Sequence, residues 1–331
     1  MSTSTQIITD LRERFINELQ ATFSGQEPRG LYEPIDYILD LGGKRIRPIV
    51  ALLAARMFGD GEALLQGMPV ALAVEVFHNF TLLHDDIMDD SPLRRGKQTV
   101  HEKWDVNTGI LSGDLMLIQA YQHLCNSPNT AALPQLMQAF SRVATGVCEG
   151  QQYDVDFENR NDVTIAEYLT MIELKTAVLL GGSLEMGALA AGASQEDAGH
   201  LFAFGRLTGL AFQLQDDLLD TYGDSASTGK LKGNDIIRNK KTFLFLKAIE
   251  LLGPEDQQEL NRWFSESPAD PAQKVARVTE LMTSVSIPEA VAALRDQFQA
   301  EAYAHLEVAK GDAAVKVVLR DLAEGLLQRV G

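Results

Sequence analysis

Cysteine is scarce in this sequence, because the chain of 331 residues contains only Cys125 and Cys148. Two cysteines cannot form the disulfide framework on which small secreted domains rely, so the sequence predicts free thiols and a cytoplasmic protein. The N-terminal residues show no basic segment followed by an apolar run, and we therefore expect no secretory signal peptide.

Long apolar runs are also missing. No uninterrupted apolar stretch reaches the roughly 18 residues that a membrane-spanning helix needs. Residues 177–193 come nearest, but Glu185 and four glycines interrupt them. The sequence therefore predicts a buried helix there and no stable insertion into a membrane.

Positive charge is in short supply, with 29 Lys and Arg residues against 46 Asp and Glu residues and a formal net charge of −17. This balance argues against binding to nucleic acid or to anionic membranes through a basic surface. The chain is nevertheless 45% hydrophobic, which is too much for a disordered protein and enough for a large core.

Strand signals are weak, because alternating β-branched runs and Asn-Gly turns are lacking. In Val70–Met88, by contrast, apolar residues such as Leu72 and Val76 recur every three or four positions, as on a buried helix. Similar apolar-rich helical patterns lie at Ile46–Met57, Gly109–Leu124, Ala131–Cys148, Val163–Ala191, Glu196–Tyr222 and Lys241–Leu252. Amphipathic surface helices are predicted at Pro271–Ser284 and Pro288–Ala309. Because no linker is long enough to divide the chain, the pattern predicts a single all-α domain over residues 1–331.

Two acidic motifs of the form D-D-x-x-D each end a long apolar segment. They comprise Asp85, Asp86, Asp89, Asp216, Asp217 and Asp220. On a helix, the first and last aspartates of each motif lie on one face, one turn apart. Three like charges in one turn repel each other, and acids on apolar helices are usually paired or ligating. Mg²⁺ prefers such oxygen ligands, so the motifs predict metal binding, with a solvated acidic turn as the alternative for a single copy.

Each acidic motif is expected to precede a polar loop that contains basic residues, and a further basic segment lies earlier in the chain. Residues 42–48 read G-G-K-R-I-R-P, residues 94–96 read R-R-G, and residues 228–242 contain G-K-L-K-G-N-D and N-K-K-T. Lys and Arg donate charge-assisted hydrogen bonds to phosphate oxygens. One such segment is more typical of a surface patch, but the whole set beside two metal-type motifs predicts anion binding.

In this order, the motifs resemble those of the trans-isoprenyl diphosphate synthases (polyprenyl synthetases). The resemblance extends over most of the chain and includes Glu149–Asp154, Lys175-Thr176 and Phe212-Gln213. It implies the isoprenoid synthase fold, an all-α bundle around a deep central cavity, and usually a homodimer. The implied reaction joins isopentenyl diphosphate to an allylic diphosphate of the C5 to C15 class, with Mg²⁺ as cofactor, and releases diphosphate.

The resemblance also implies roles for individual residues. The implied metal ligands are Asp85, Asp89 and Asp216, supported by Asp86, Asp217 and Asp220, with three Mg²⁺ ions once substrate is bound. The implied ligands of the allylic diphosphate are Arg94, Lys175, Thr176, Gln213, Lys230 and Lys240. Those of isopentenyl diphosphate are Lys44, Arg47, His78 and Arg95. For His78, an ordinary core histidine is the alternative.

In the reaction that the resemblance implies, diphosphate leaves the allylic substrate to give a carbocation, and the alkene of isopentenyl diphosphate attacks this cation. A proton is then lost to the released diphosphate, so no dedicated protein base is needed. Lys175, Thr176 and Gln213 are candidates for stabilising the cation through their dipoles. An apolar cavity would keep water away from the cation.

Product length is predicted from the residues before the first motif. In the family, an aromatic residue five positions before the first aspartate accompanies short products, and Phe80 occupies that position. Phe77 lies roughly one turn further along the helix, and Thr81 is a small neighbour. Core packing is the alternative for both aromatics. The pattern favours a geranylgeranyl (C20) product, with farnesyl (C15) next.

Two other functions fit parts of the sequence. A terpene cyclase shares one D-D-x-x-D motif, but it needs neither a second copy nor the segment at residues 42–48. A non-catalytic subunit of a heteromeric synthase usually loses aspartates or basic residues, and none of them is missing here.

Overall fold

The structure is a computed structural model that describes residues 3–22, 25–59, 61–223, 233–265 and 270–328. The helices up to the first acidic motif are α1 Thr3–Thr22, α2 Arg29–Asp40, α3 Ile46–Met57 and α4 Gly61–Met88. The strands β1 Leu93–Arg94 and β2 Lys97–Gln98 follow, and then α5 Val100–Lys103, α6 Val106–Cys125, α7 Leu133–Glu158, α8 Ile165–Ile172, α9 Val178–Ala190 and α10 Gln195–Tyr222. The remaining helices are α11 Asn234–Ile237, α12 Phe243–Leu251, α13 Pro254–Trp263, α14 Pro271–Ser284, α15 Ile287–Val308 and α16 Ala313–Leu327. None of the helices in the described ranges has the length and hydrophobicity of a transmembrane span.

The chain divides into two compact units. Unit 1 comprises residues 1–141, 182–202 and 308–319, and unit 2 comprises residues 142–181, 203–307 and 320–331. The single domain over residues 1–331 stays a prediction.

The predicted all-α fold is confirmed. Helix α14 begins and ends where the pattern predicts. Helix α4 begins at Gly61, before the predicted Val70, and α7 continues to Glu158, beyond the predicted Cys148. The extension of α7 is polar, so apolar periodicity does not reveal it.

Helix α4 forms the centre of unit 1, and its middle turns over residues 70–77 are buried. Helix α6 packs closely against the end of α4. A Cβ atom at Gly109 would come within 2.8 Å of the side chain of Ile87, and one at Gly113 within 2.2 Å of that of His84. The two glycines therefore allow α6 to approach the turn that carries the first acidic motif.

The core of unit 2 is apolar and supports α10. Leu210 and Leu214 of α10 belong to one buried cluster with Phe243 of α12, Val278 of α14 and Val291 of α15. This packing holds the helix whose end carries the second acidic motif.

The predicted helical segment Val163–Ala191 contains a change of helix type. Helix α8 ends at Ile172, residues Glu173–Ala177 form a π-helical turn, and α9 follows. Single π-helical turns inside helices are frequent at functional sites. Lys175 and Thr176 lie in this turn.

The segment after the first acidic motif, expected to be a polar loop, forms a short hairpin. Strands β1 and β2 pair antiparallel, with Arg94 opposite Lys97. The turn residues Arg95 and Gly96 have φ angles of 53° and 77°. Two consecutive positive φ angles suit a tight hairpin turn, but Arg at the first position is not the usual Asn or Asp signal. The expectation of a loop was therefore wrong.

Candidate active site

The first acidic motif lies at the C-terminal end of α4. The helix ends at Met88, and the backbone N–H of Asp89 still donates to the carbonyl oxygen of Asp85 at 2.9 Å. The two aspartates therefore lie one turn apart, as the spacing predicts. Asp85 is partly buried, Asp86 is buried and Asp89 is exposed.

Arg94 of β1 lies against this motif. Its Nε donates to Oδ2 of Asp86 at 2.7 Å, and its Nη2 lies 3.8 Å from Oδ2 of Asp85. Burial raises the pKa of Asp86, although the hydrogen bond and charge of Arg94 oppose that rise. The hairpin therefore holds a predicted diphosphate ligand beside the predicted metal ligands.

The glycine-rich segment at residues 42–48 contacts the turn of the same hairpin. Nη1 of Arg95 donates a hydrogen bond to the carbonyl oxygen of Gly42. Gly43 has a φ angle of 128°, and a Cβ atom there would come within 2.9 Å of the guanidinium nitrogens of Arg95. The backbone conformation therefore favours glycine at position 43, and the guanidinium of Arg95 lies directly against it. Lys44, which follows, is exposed.

Arg47 and His78 also meet in unit 1, with Nη1 of Arg47 lying 3.2 Å from Nε2 of His78. A guanidinium only donates, so Nε2 accepts and the ring proton lies on Nδ1. Burial, together with the charge of Arg47, lowers the pKa of His78 well below its ordinary value, which keeps the ring neutral. Nε of Arg47 is buried and donates to no described residue.

The second acidic motif lies in the last turns of α10. Asp216 and Asp220 are partly exposed one turn apart, and Gln213 is one turn earlier on the same side. Oδ2 of Asp220 accepts a hydrogen bond from the backbone N–H of Asp235 at 2.9 Å. The motif is therefore joined to the segment that follows it in unit 2.

Asp217 is the buried member of this motif. The hydroxyl of Tyr168 in α8 donates a hydrogen bond to its Oδ2. Burial, followed by the charge of Asp235, raises the pKa of Asp217 to about 8. Asp217 therefore fits the supporting role implied for it better than a direct ligand role, since Tyr168 already occupies one oxygen.

Lys175 lies in the π-helical turn, and its Nζ donates to Oδ2 of Asp154 in α7 at 2.5 Å. Burial alone would raise the pKa of Asp154, but the charges of Lys240 and Lys175 outweigh this effect, so the pKa lies below its ordinary value. Unit 2 thus brings these two predicted diphosphate ligands to the same carboxylate. Thr176 is partly exposed beside Lys175, and Lys230 lies outside the described residues.

The residues predicted to control product length belong to an aromatic cluster in unit 1. The ring centroid of Phe77 lies 5.6 Å from that of Phe80 and 5.2 Å from that of Phe140 in α7. Tyr121 of α6 packs against Phe140 at 4.7 Å. Thr81 donates from its hydroxyl to the carbonyl oxygen of His78 at 2.8 Å. We call Phe77, Phe80, Tyr121 and Phe140 the aromatic cluster.

The acidic motifs fit a hard divalent cation. Asp85 and Asp89 present carboxylates one turn apart, and Asp216 and Asp220 do the same in unit 2. Oδ1 of Asp86 is buried and accepts no hydrogen bond from any described residue. Carboxylate oxygens in pairs are the ligands that Mg²⁺ uses in proteins that bind phosphates.

Several site residues were not predicted. Tyr168, Tyr121 and Phe140 gave no signal, because only the folded chain brings them to the motifs. Glu75 did give a signal in the sequence, because an acid inside the apolar run of α4 needs a buried partner. That partner is Arg45.

Comparisons with known proteins agree with this geometry. The family model described as polyprenyl synthetase matches residues 28–282. The geranylgeranyl diphosphate synthase of Methanosarcina mazei is 43% identical over 224 residues, which cover 67% of this chain and 68% of that protein. The geranylfarnesyl diphosphate synthase of Natronomonas pharaonis is 40% identical over 253 residues, which cover 72% of this chain and 74% of that protein.

Solved structures give the same result. A crystal structure of a geranylgeranyl pyrophosphate synthase superposes with a TM-score of 0.93, at 44% identity and with all of both chains covered. The geranylgeranyl pyrophosphate synthetase of Pyrococcus horikoshii superposes with a TM-score of 0.90 at 29% identity, covering 99% of this chain and 100% of that one. The extent of these matches, with both acidic motifs in place, shows that the chain belongs to the polyprenyl synthetase family.

Proposed function

We propose that this prenyltransferase condenses isopentenyl diphosphate with an allylic diphosphate to give a short-chain trans-isoprenyl diphosphate. The observation that carries the proposal is the convergence of distant cations in unit 1. Arg95 of the hairpin contacts Gly42, and Arg47 contacts His78 on the helix that carries Asp85. Cations that contact a helix carrying paired carboxylates, or lie close to it, suit a diphosphate bound partly through metal.

The neutral state of His78 supports its role toward isopentenyl diphosphate. A neutral ring whose Nε2 accepts from Arg47 turns its Nδ1 proton toward other acceptors. We assign Lys44, Arg47, His78 and Arg95 to the diphosphate of this substrate. The buried and unpartnered Nε of Arg47 supports the assignment, because a buried donor without an acceptor is costly.

The second set of diphosphate ligands belongs to the allylic substrate. The side chains assigned to it are Arg94, Lys175, Thr176, Gln213, Lys230 and Lys240. Asp154 holds the ammonium group of Lys175 in place through the 2.5 Å hydrogen bond. Carbonyl or hydroxyl dipoles at Lys175, Thr176 and Gln213 are proposed to stabilise the positive charge that develops on the allylic substrate.

Mg²⁺ is the proposed cofactor, with three ions in the complex with substrate. Asp85 and Asp89 would hold ions at the first motif, and Asp216 would do so at the second. Bound Mg²⁺ would neutralise the departing diphosphate. Asp86 contributes by holding Arg94, and Asp217 remains bonded to Tyr168.

A C20 product fits the residues before the first motif best, with C15 as the alternative. Phe80 is the member of the aromatic cluster nearest to Asp85 in the sequence, and its ring centroid lies 4.8 Å from that of His84. Phe77 lies behind it and is fully buried. The geranylgeranyl synthases among the relatives support the same length, whereas the geranylfarnesyl synthases among them are named for a longer product.

A homodimer is the proposed assembly, formed through α6. Its exposed apolar residues Ile110, Leu111 and Ile118 recur at helical spacing, and Leu111 and Ile118 are 60% and 55% exposed. Such an apolar face on a strongly acidic chain suits a second copy, because an isologous contact buries the same face twice.

A cytoplasmic location is proposed from the cysteines. Cys125 and Cys148 are both free and exposed. Exposed thiols persist in reducing compartments.

The test is mass spectrometry of the products that the purified chain makes from isopentenyl diphosphate with C5, C10 or C15 allylic primers and Mg²⁺. We expect extension of the primers to C20 and no product after chelation of the metal. Consumption of an allylic diphosphate without isopentenyl diphosphate would favour a cyclase instead. Full-length, folded protein that extends no primer would favour a non-catalytic subunit.

A further inference from the structure

Arg45 differs from the other two cations of the segment at residues 42–48 in where its side chain lies. Lys44 is exposed and Arg47 is partly buried, whereas the side chain of Arg45 is only 6% exposed. Its guanidinium forms an ion pair with Glu75 and also donates to the carbonyl oxygen of Leu39. Arg45 therefore points into unit 1 and not toward a substrate.

Glu75 is held as firmly as its partner. Its side chain is 4% exposed, and Nδ2 of Asn79 donates to Oε1 at 3.0 Å. Removing one member of a buried pair leaves an uncompensated charge, so the pair is strongly coupled. Arg45, Glu75 and Asn79 thus form one buried polar network, which we call the Arg45 network.

The Arg45 network ties the glycine-rich segment to α4. Arg45 immediately precedes α3, and its φ and ψ angles of 52° and 40° are left-handed, a conformation that costs free energy in a residue other than glycine. The network supplies the contacts that hold this conformation. On α4, Glu75 lies about one turn before His78, so Arg45 and Arg47 contact successive turns of the same helix.

The charge of Glu75 also reaches the neighbouring cations. Burial lowers the pKa of Arg47, and the charge of Glu75 opposes that effect. Burial and the charge of Arg45 lower the pKa of Arg95, and Glu75 again acts in the opposite direction. A buried carboxylate thus opposes the effect of burial on Arg47 and Arg95, and the repulsion of Arg95 by Arg45, in a place where an anionic substrate is proposed to bind.

We propose that Arg45 and Glu75 are positioning residues that fix Lys44 and Arg47 for the diphosphate of isopentenyl diphosphate without touching it. The inference rests on the proposed function, because it takes Lys44 and Arg47 as ligands of that substrate. The inference adds Arg45 and Glu75, which would act on the substrate only by holding Lys44 and Arg47 in place. The effect is specific to isopentenyl diphosphate, since the allylic diphosphate is assigned to other side chains.

The experiment uses the full chain and three variants of the network: R45K, E75Q and the double variant R45M/E75M. R277M is the matched control, because it removes ion pairs with Glu259 and Glu280 that involve no predicted site residue. For each protein, the KM for isopentenyl diphosphate, the KM for the allylic diphosphate, kcat and the melting temperature are measured.

We expect the KM for isopentenyl diphosphate to rise about tenfold or more in all three network variants, since small misplacements of binding groups have effects of that order. The KM for the allylic diphosphate should stay within about twofold of the wild-type value, because the network is proposed to affect the binding of isopentenyl diphosphate only. The double variant melts near the wild-type temperature, because an apolar pair can replace a buried ion pair without loss of stability. R277M should change neither KM, and its only expected effect is a lower melting temperature.

Two results would overturn the proposal. One is an unchanged KM for isopentenyl diphosphate in R45K or in a stably folded R45M/E75M, and the other is an equal rise in both KM values. If the double variant unfolds, the KM of R45K for isopentenyl diphosphate alone tests the proposal. R45K keeps a positive charge beside Glu75, so that carboxylate is not left buried and uncompensated. Failure of the proposed function gives a different result, in which the wild-type chain itself extends no primer.

Discussion

Gly150 of α7 lies against the backbone of Lys175 in the π-helical turn of unit 2. A Cβ atom at position 150 would come within 2.2 Å of the Lys175 backbone nitrogen. On another side of the same turn, a Cβ atom at Gly209 would come within 2.8 Å of Ala177 Cα. The turn that presents Lys175 is therefore enclosed by two helices that approach it only because they carry glycine there.

This contact predicts that G150A misplaces Lys175. Because backbone atoms cannot yield as side chains do, we expect a loss of about 1–3 kcal/mol in the free energy of unfolding from overpacking. We also expect kcat to fall about a hundredfold, as for other small displacements of catalytic groups. Urea unfolding and steady-state kinetics measure the two effects.

The matched control is G199A in α10. Apart from its own helix backbone and its chain neighbours, no atom of the described residues lies within 4 Å of a Cβ atom at that position, so Ala fits. There the higher helix propensity of Ala should leave stability unchanged or raise it by about 1 kcal/mol, with kcat unchanged. Equal kcat values in G150A and G199A would contradict the prediction.

A pH prediction follows from His123 in α6. Burial lowers its pKa in the folded chain to about 4, from an ordinary value of 6.5. Between these values the unfolded chain binds a proton that the folded chain does not. This contribution to stability is therefore complete above pH 6.5 and declines as the pH falls to about 4, by about 3 kcal/mol in total.

The measurement is urea unfolding of the wild type and of H123Q at pH 6.5, 5.5 and 4.5. Acid titration of carboxylates affects both proteins, so the difference between their slopes isolates His123. H123Q should lose less stability over this range than the wild type. H200Q, at a partly exposed histidine, serves as the control, and identical slopes for H123Q and the wild type would refute the prediction.

Local patterns in the sequence were sufficient to predict the helices that carry the acidic motifs. Apolar residues at helical spacing identify α4 and α10, and the D-D-x-x-D spacing places each outer pair of aspartates on one face. These features depend on residues within one or two turns of each other. The helix period therefore determines them before any tertiary contact forms.

The neighbours of the motifs could not be predicted in the same way. Tyr168 reaches Asp217 from a different helix, and Arg94 returns to Asp86 only because the hairpin turns at Arg95 and Gly96. Such contacts depend on the packing of distant segments, which periodicity does not encode. Glu75 is the exception, because a buried acid in an apolar helix indicates in the sequence alone that a cation must lie opposite.

The aromatic cluster predicts how product length changes on substitution. F80A removes the ring nearest to the first acidic motif, so we expect products at least one C5 unit longer. Phe77 still packs against Phe140 and remains as a second barrier. F77A/F80A should therefore lengthen the product further than F80A does.

Mass spectrometry of the products, with melting temperatures to establish folding, checks this prediction. Y121F is the control, because it keeps the edge-to-face contact of the ring with Phe140 and removes only the hydroxyl, which lies 3.1 Å from that of Ser141. An unchanged product distribution in folded F80A would refute the role of Phe80.

The exposed face of α6 predicts the response of the proposed dimer to a charge. Ile118 lies on this face, and in an isologous interface each substitution occurs twice. Burying an unpaired carboxylate costs about 2 kcal/mol or more per copy, so I118D should weaken the dimer about a thousandfold. Sedimentation velocity over a range of protein concentrations measures the change.

L251D is the control, because Leu251 at the end of α12 is 47% exposed and lies outside this face. It should remain dimeric, and a dimer that persists in I118D at low micromolar concentration would place the interface elsewhere.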